Sequence, residues 1–158
     1  MDDAELVEYV ERVHRRTREA VERLTDALVD WRPRPGEFTA GELAAHIAGS
    51  RLMNARSIAG EPIRYPGHDV APGTTVEGLL ALMDRTSQQA LALLIACDLS
   101  SEIESRTSDT GKMFAWQRVL GGLSEHEVHH RSQLCEYLST AGIAPPPLYG
   151  LHVEELPR

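Results

Sequence analysis

The sequence has only two cysteines, Cys97 and Cys135, far apart and in no CxxC arrangement. That argues against a disulfide framework and against a thiolate-rich zinc site. Aromatic residues are scarce, at 5% of the chain, so Leu, Val, Ile and Ala must supply most of the packing. No apolar run is long enough to span a bilayer, and the start Met1-Asp2-Asp3 is acidic with no apolar signal core. The expectation is a soluble protein of the reducing cytoplasm with no membrane partner. Positive charge is also in short supply: 16 Lys and Arg face 24 Asp and Glu, a formal net charge of −8. Affinity for nucleic acid comes mainly from neutralising phosphates, so such a chain is a poor nucleic-acid binder unless its bases are segregated. The one dense basic cluster, Arg12, Arg15, Arg16 and Arg18, is interleaved with Glu11, Glu19 and Glu22, and reads as a solvated, self-paired helix face.

What is present is helical periodicity. The length, 158 residues, fits one domain spanning residues 1–158. Leu6, Val10, Val13, Thr17, Ala20, Val21, Leu24 and Leu28 recur at three- and four-residue spacing, which predicts a first helix from about Asp3 to Asp30, ended by Trp31-Arg32-Pro33-Arg34-Pro35-Gly36. A second helix opens on Thr39 as N-cap, with Glu42 three residues on and Phe38 and Leu43 at the spacing of a hydrophobic staple, and runs to about Ala59. The stretch from Glu61 to Gly73 is rich in Pro and Gly and reads as a long crossover or lid. Thr74 with Glu77 offers a second capping box for a third helix to about Cys97. After a polar segment, Asp98 to Lys112, a fourth helix spans about Phe114 to Ala141, with Gly142 as its left-handed C′ residue. No strand is expected. The pattern is an all-α four-helix bundle.

The fourth helix carries the anomaly. Its inward stripe reads Trp116, Val119, Leu120, Leu123, His126, His130, Gln133, Leu134, Tyr137 and Leu138. The apolar spacing continues on both sides of the two histidines, so His126 and His130 fall on the face that should be buried. At i and i+4 their imidazoles stack on one side of the helix and can converge on one ion; neutral imidazole suits Zn, Ni, Cu or Fe. Two core histidines satisfied by hydrogen bonds remain the alternative, and HxxxH alone is only moderately specific. His46 lies mid-helix on the second helix, on a face with Leu43, Ser50 and Met53. A third imidazole from a facing helix is what a bundle-core metal site requires, although His46 also reads as a helix-surface residue.

The chain at this point resembles the DinB-like (YfiT/DinB) metal-binding four-helix bundles. The resemblance rests on Trp31-Arg32-Pro33 with Gly36-Glu37-Phe38-Thr39, on Gly41-Glu42-Leu43-Ala44-Ala45-His46, and on the run His126-Glu127-Val128-His129-His130-Arg131-Ser132-Gln133. Leu134, Tyr137-Leu138, Gly142 and Pro146-Pro147-Leu148-Tyr149-Gly150 follow in the family's order. It implies a bundle with crossover connections and a divalent metal, Zn or Ni first, on His46, His126 and His130. His129 takes an outer or surface role, and a homodimer is expected. Relatives include thiol-dependent S-transferases and mycothiol-dependent isomerases, besides members linked to stress or DNA damage. The function implied is a metal-dependent enzyme using a low-molecular-weight thiol and a small-molecule substrate. The alternatives are a non-catalytic metal-binding stress protein and a metal-dependent hydrolase.

Position alone places several other residues. His14 and His68 are expected in solvent, and His152 reaches the site only if the tail folds back. Cys135 lies about half a turn from His126, a poor ligand position. Glu125 and Glu127 flank the ligand stripe, and Glu42 is explained as a cap. Tyr149 covers the bundle mouth or, more simply, packs in the core. Arg51, Arg56 and Arg131 are the basic residues near the site helices, none of them evidently on an inner face. Three histidines leave an open coordination position, the arrangement of a catalytic zinc site.

Overall fold

The structure, a computed structural model, describes residues 1–105, 110–150, 155 and 157. Its long helices are α1 (Asp3–Glu22), α3 (Ala40–Ile58), α4 (Val76–Ile95) and a final helix that begins as α5 (Ala115–Arg118), widens into a π-helical turn (Val119–Glu125) and continues as α6 (His126–Thr140). They form a four-helix bundle. A short α2 (Asp26–Val29) and a two-stranded hairpin, β1 (Glu102–Glu104) with β2 (Lys112–Phe114), complete the described elements.

The caps explain the boundaries. Thr39 Oγ1 accepts the Glu42 N–H at 3.1 Å and Glu42 Oε2 accepts the Thr39 N–H at 2.6 Å, the reciprocal box the sequence predicts. The box expected at Thr74 is displaced by one residue. Thr75 caps α4 by accepting the Gly78 N–H, while the Thr74 hydroxyl turns back to the Ala71 carbonyl. The Val76 N–H is met by Asp26 Oδ1 from α2 at 2.8 Å. The single helix expected from Asp3 to Asp30 is broken. Arg23 and Leu24 tighten into i→i+3 bonds and Thr25 is extended (φ −111°, ψ 157°), so α2 starts afresh. Leu24 and Leu28 keep the apolar spacing across that break, which is why periodicity alone reads through it.

Two further expectations are corrected. The segment Asp98–Lys112 yields strand pairs, Glu102 opposite Phe114 and Ile103 opposite Met113; three-residue strands are too short to show alternation in a sequence. Trp116 is not on the inward stripe. It is 42% exposed and stacks on Phe114 at the surface, while Val119 and Leu123 are buried. A π turn holds one residue more than an α turn, which rotates everything before it by about 100° relative to everything after. Inside that turn Gly122 lets the helix approach α3: a Cβ there would stand 2.7 Å from Asn54 Oδ1 and from Arg118 Cδ.

The core divides into two apolar clusters, one at each end of the bundle. The first joins the end of α1 (Ala20, Val21), the start of α3 (Leu43, Ala44, Ile47), the start of α4 (Leu79, Met83) and the end of α6 (Leu134, Leu138). The second joins the start of α1 (Leu6, Val10), the end of α3 (Ala55, Ile58), the end of α4 (Ala90, Leu94) and the start of the final helix (Ala115, Val119, Leu123). Helices α1 and α6 therefore run one way and α3 and α4 the other. Each of α1 and α6 packs against the other and against α4 or α3, and α3 packs on α4 as a parallel neighbour.

That parallel pairing forces the long connection. After α3 the chain must climb back the length of a 19-residue helix, roughly 28 Å, before α4 can start. The returning segment lies along α3, with Pro66 seated over Gly49, where a Cβ would meet Pro66 Cγ at 2.7 Å. It carries Tyr65 and His68 up to the level of His46. Among the described residues no helix is long and apolar enough to cross a membrane.

Candidate metal centre

His46 projects from α3 and His126 and His130 from α6, and the three side chains meet between those helices. His46 Nε2 stands 3.3 Å from His126 Nε2 and 3.1 Å from His130 Nε2, and the three ligand atoms all lie within 4.8 Å of one another. Two nitrogens bound to one tetrahedral zinc at about 2.0–2.1 Å stand about 3.3–3.4 Å apart, so the spacing fits a shared ion. Among the described residues no carboxylate or thiolate joins the group, which leaves the rest of a coordination sphere to water or substrate.

Protonation is suited to the same task. Burial, then the neighbouring rings His130, His126 and His68, depress the His46 pKa to about 4. Burial is also the leading cause that lowers His126 and His130. All three are neutral at pH 7, the form that ligates. The other ring nitrogens of His130 and His46 are held by outer partners. His130 Nδ1 lies 2.7 Å from Gln133 Oε1, an acceptor, so the ring proton sits on Nδ1 and the Nε2 lone pair faces the cluster. His46 Nδ1 lies 3.0 Å from Tyr65 Oη, which in turn lies 2.6 Å from His68 Nδ1. With Nδ1–H donating to Tyr65 and the Tyr65 hydroxyl donating to His68, His46 also presents a lone pair at Nε2.

Where the sequence placed residues singly, the structure groups them differently. His68 is half-buried rather than free in solvent, its ring 4.3 Å from that of Phe38. His14 is buried, at 3% exposure, against Ser87 and Glu127. Arg51, Arg131 and Glu127, read as flanking or surface groups, are all buried in the bundle, whereas Arg56 is exposed. Tyr149 is 74% exposed, under the Arg16 guanidinium on the outside of α1, and belongs to neither core nor mouth. His129 is exposed, as expected of an outer residue, and Cys135 packs on the apolar core. His152 lies outside the described residues. No sequence pattern marks Tyr65; only a fold that returns its loop along α3 brings it to His46.

Sequence and structure comparisons bear on the family and the fold. The model of the DinB superfamily matches residues 9–134. This chain belongs to the DinB superfamily. YjoA, a DinB-like protein of Bacillus subtilis, superposes with a TM-score of 0.74 at 22% identity, covering 94% of this chain and 99% of its own. YfiT of Bacillus subtilis, described as a probable metal-dependent hydrolase with an unusual four-helix bundle topology, gives a TM-score of 0.66 at 22% identity, covering 90% of this chain and 89% of its own. Among curated proteins none matches the sequence. The DinB fold is thus shared along nearly the whole chain.

Beside His130 in this DinB-fold protein opens a cleft of about 520 Å³ between α6 and the 33–38 segment, lined among others by Arg34, Glu37, Phe38, Gln133, Glu136 and Tyr137. Tyr137 Oη donates to the Phe38 carbonyl at 3.2 Å and ties its two walls together. The cleft carries one guanidinium and two carboxylates.

A tyrosine hydroxyl that orients a ligand ring has a measurable value. Tyr65→Phe is expected to weaken zinc affinity by about ten-fold without changing the fold, because its loss frees the His46 ring to rotate and removes the acceptor for Nδ1–H. Competition titration against a chromophoric chelator measures this; wild-type affinity in the variant would show that the Tyr65 contact does nothing for the site.

Proposed function

We propose that this protein is a metal-dependent enzyme whose His46, His126 and His130 hold one divalent transition ion, and that its reaction is hydrolysis of a small substrate bound in the adjoining cleft. The observation that carries the reading is the convergence of three imidazoles, with His46 Nε2 at 3.3 Å from His126 Nε2 and 3.1 Å from His130 Nε2 and all three ligand atoms within 4.8 Å of one another, and no fourth protein ligand among the described residues. An ion held this way supplies Lewis acidity and brings the pKa of a water toward about 7. The chain's own part is to fix two of the three rings, His130 through Gln133 and His46 through Tyr65, and to offer a polar cleft on one side of them.

YfiT, a neighbour in fold, is described as a probable metal-dependent hydrolase, which supports the same class. The cleft also bears on the thiol-transfer alternative. A carboxylate-bearing thiol cosubstrate needs cationic partners beside the metal, whereas this cleft sets Arg34 against Glu37 and Glu136. That charge balance favours hydrolysis.

The two readings separate on the cobalt-loaded protein. The hydrolytic reading expects chelator-sensitive cleavage of small ester or amide substrates, with a pH–rate inflection near neutrality, and no sulfur-to-cobalt charge-transfer band on adding thiols. A saturable band, accompanied by thiol-dependent turnover of an electrophile, would replace hydrolysis by thiol transfer. Metal binding with neither signal would leave a storage or stress role as the better account.

A further inference from the structure

Between the two apolar clusters the bundle buries a charged layer that the proposed reaction does not use. Arg51 of α3 and Glu127 of α6 form a two-pronged pair: Arg51 Nε donates to Glu127 Oε2 at 2.9 Å and Arg51 Nη2 to Glu127 Oε1 at 2.6 Å. Both side chains are essentially out of solvent, at 1% and 2% exposure. Arg51 Nη1 donates to the Met83 carbonyl of α4 at 3.0 Å, and His14 Nε2 of α1 lies 3.6 Å from Glu127 Oε2. One ion pair thus touches all four long helices.

Its placement matters more than its charge. Glu127 follows His126 directly, and Arg51 is five residues, about a turn and a half, beyond His46, so the pair joins the two ligand-bearing helices within about two turns of the ligands. We propose that Arg51 and Glu127 are positioning residues for the metal centre, locking α3 and α6 in the rotation and register that bring His46 to His126 and His130. This rests on the metal reading above.

Three physical points support the assignment. A fully buried ion pair adds little net stability over well-packed apolar residues, because desolvation offsets its attraction, so stability alone does not account for it. Apolar packing is non-directional and tolerates small slides, whereas a planar guanidinium meeting a carboxylate through two parallel bonds accepts one geometry. Finally, the π turn at Val119–Glu125 ends directly before His126, so the phase of α6 is not inherited from the start of the final helix and must be fixed locally.

The test uses the full chain in two variants. Arg51→Lys keeps the charge and loses the fork. Arg51→Met combined with Glu127→Leu removes the pair while keeping bulk; Met83 O retains the Thr86 hydroxyl as a partner. Helical circular dichroism and melting in EDTA report the fold, zinc competition titration reports affinity, and the visible d–d bands of the Co(II) form report ligand geometry. Both variants are expected to melt cooperatively in EDTA, yet to bind zinc at least about ten-fold more weakly and to show altered cobalt bands. A folded variant with zinc affinity within about two-fold of wild type and unchanged cobalt bands would overturn the proposal. Loss of the fold in both variants would also overturn it, by making the pair a stability element. Wild-type protein that binds no zinc would instead overturn the metal reading, before any variant is compared.

Discussion

Alanine at His46, His126 or His130 is expected to abolish stoichiometric metal binding. Wild-type protein loaded with zinc and freed of excess ion should carry about one ion per chain, and each of the three variants only a residual fraction, by elemental analysis. Two imidazoles alone do not make a tight site, and each of these rings contributes one of the converging Nε2 atoms. The matched control is His129→Ala. That ring is a neighbour of His130 in sequence and in space, 4.8 Å between centroids, but it is exposed and outside the cluster, so occupancy should stay at the wild-type level. Loss of metal in His129→Ala with retention in His130→Ala would reassign the ligand on α6.

The second large effect is on the metal-free protein in acid. Burial holds the His14 pKa at about 3, with the attraction of Glu127 too weak to offset it, and His46 at about 4. An unfolded histidine titrates near 6.5. Between those values the unfolded chain binds protons that the folded chain refuses, so stability is complete above pH 6.5 and is lost as the pH falls toward 4 and then 3. His14 alone contributes a loss of about 2–3 kcal/mol between pH 6.5 and 4.5, which for a domain of this size lowers the Tm by roughly 6–10 °C. Glu127 does not oppose this. Its burial favours the neutral acid, but the Arg51 guanidinium beside it, by charge and by hydrogen bonds, together with the Thr17 hydroxyl, outweighs that and holds its pKa below the usual carboxylate range, so it stays charged through the window. Melting in EDTA from pH 7.5 to 4.5 should show the decline, and His14→Leu should reduce it, leaving the smaller part due to His46. A Tm independent of pH in the wild type would mean that His14 is not held neutral by burial.

The parts of the fold that local chemistry controls were legible in the sequence. The Thr39–Glu42 box, the α3 end near Ala59 and the Gly142 terminus, at φ +79°, all sit where the residues place them. The three clustered histidines were legible too, because two imidazoles one turn apart are conspicuous and a third stood on another predicted helix; the buried face of α6, however, runs through Glu127, Arg131, Leu134 and Leu138, and His126 and His130 stand half-buried beside it. What was hidden depends on long-range packing. Arg51, Glu127 and His14 look like solvated residues of amphipathic helices until the bundle closes over them. Tyr65 and His68 sit in a Pro- and Gly-rich stretch with no period, and only the parallel pairing of α3 and α4 sends that stretch back past His46. The π turn shifts the buried face by a fraction of a turn, which a fixed 3.6-residue period cannot register, and Trp116 was misplaced for that reason.

The central claim is that these three imidazoles share one ion. X-ray absorption on the zinc-loaded protein tests it most directly. The account predicts a first shell of three imidazole nitrogens at about 2.0–2.1 Å with one further light atom, and the outer-shell scattering of histidine rings. A shell containing sulfur at about 2.3 Å, or a sphere of oxygens with no imidazole scattering, would contradict it.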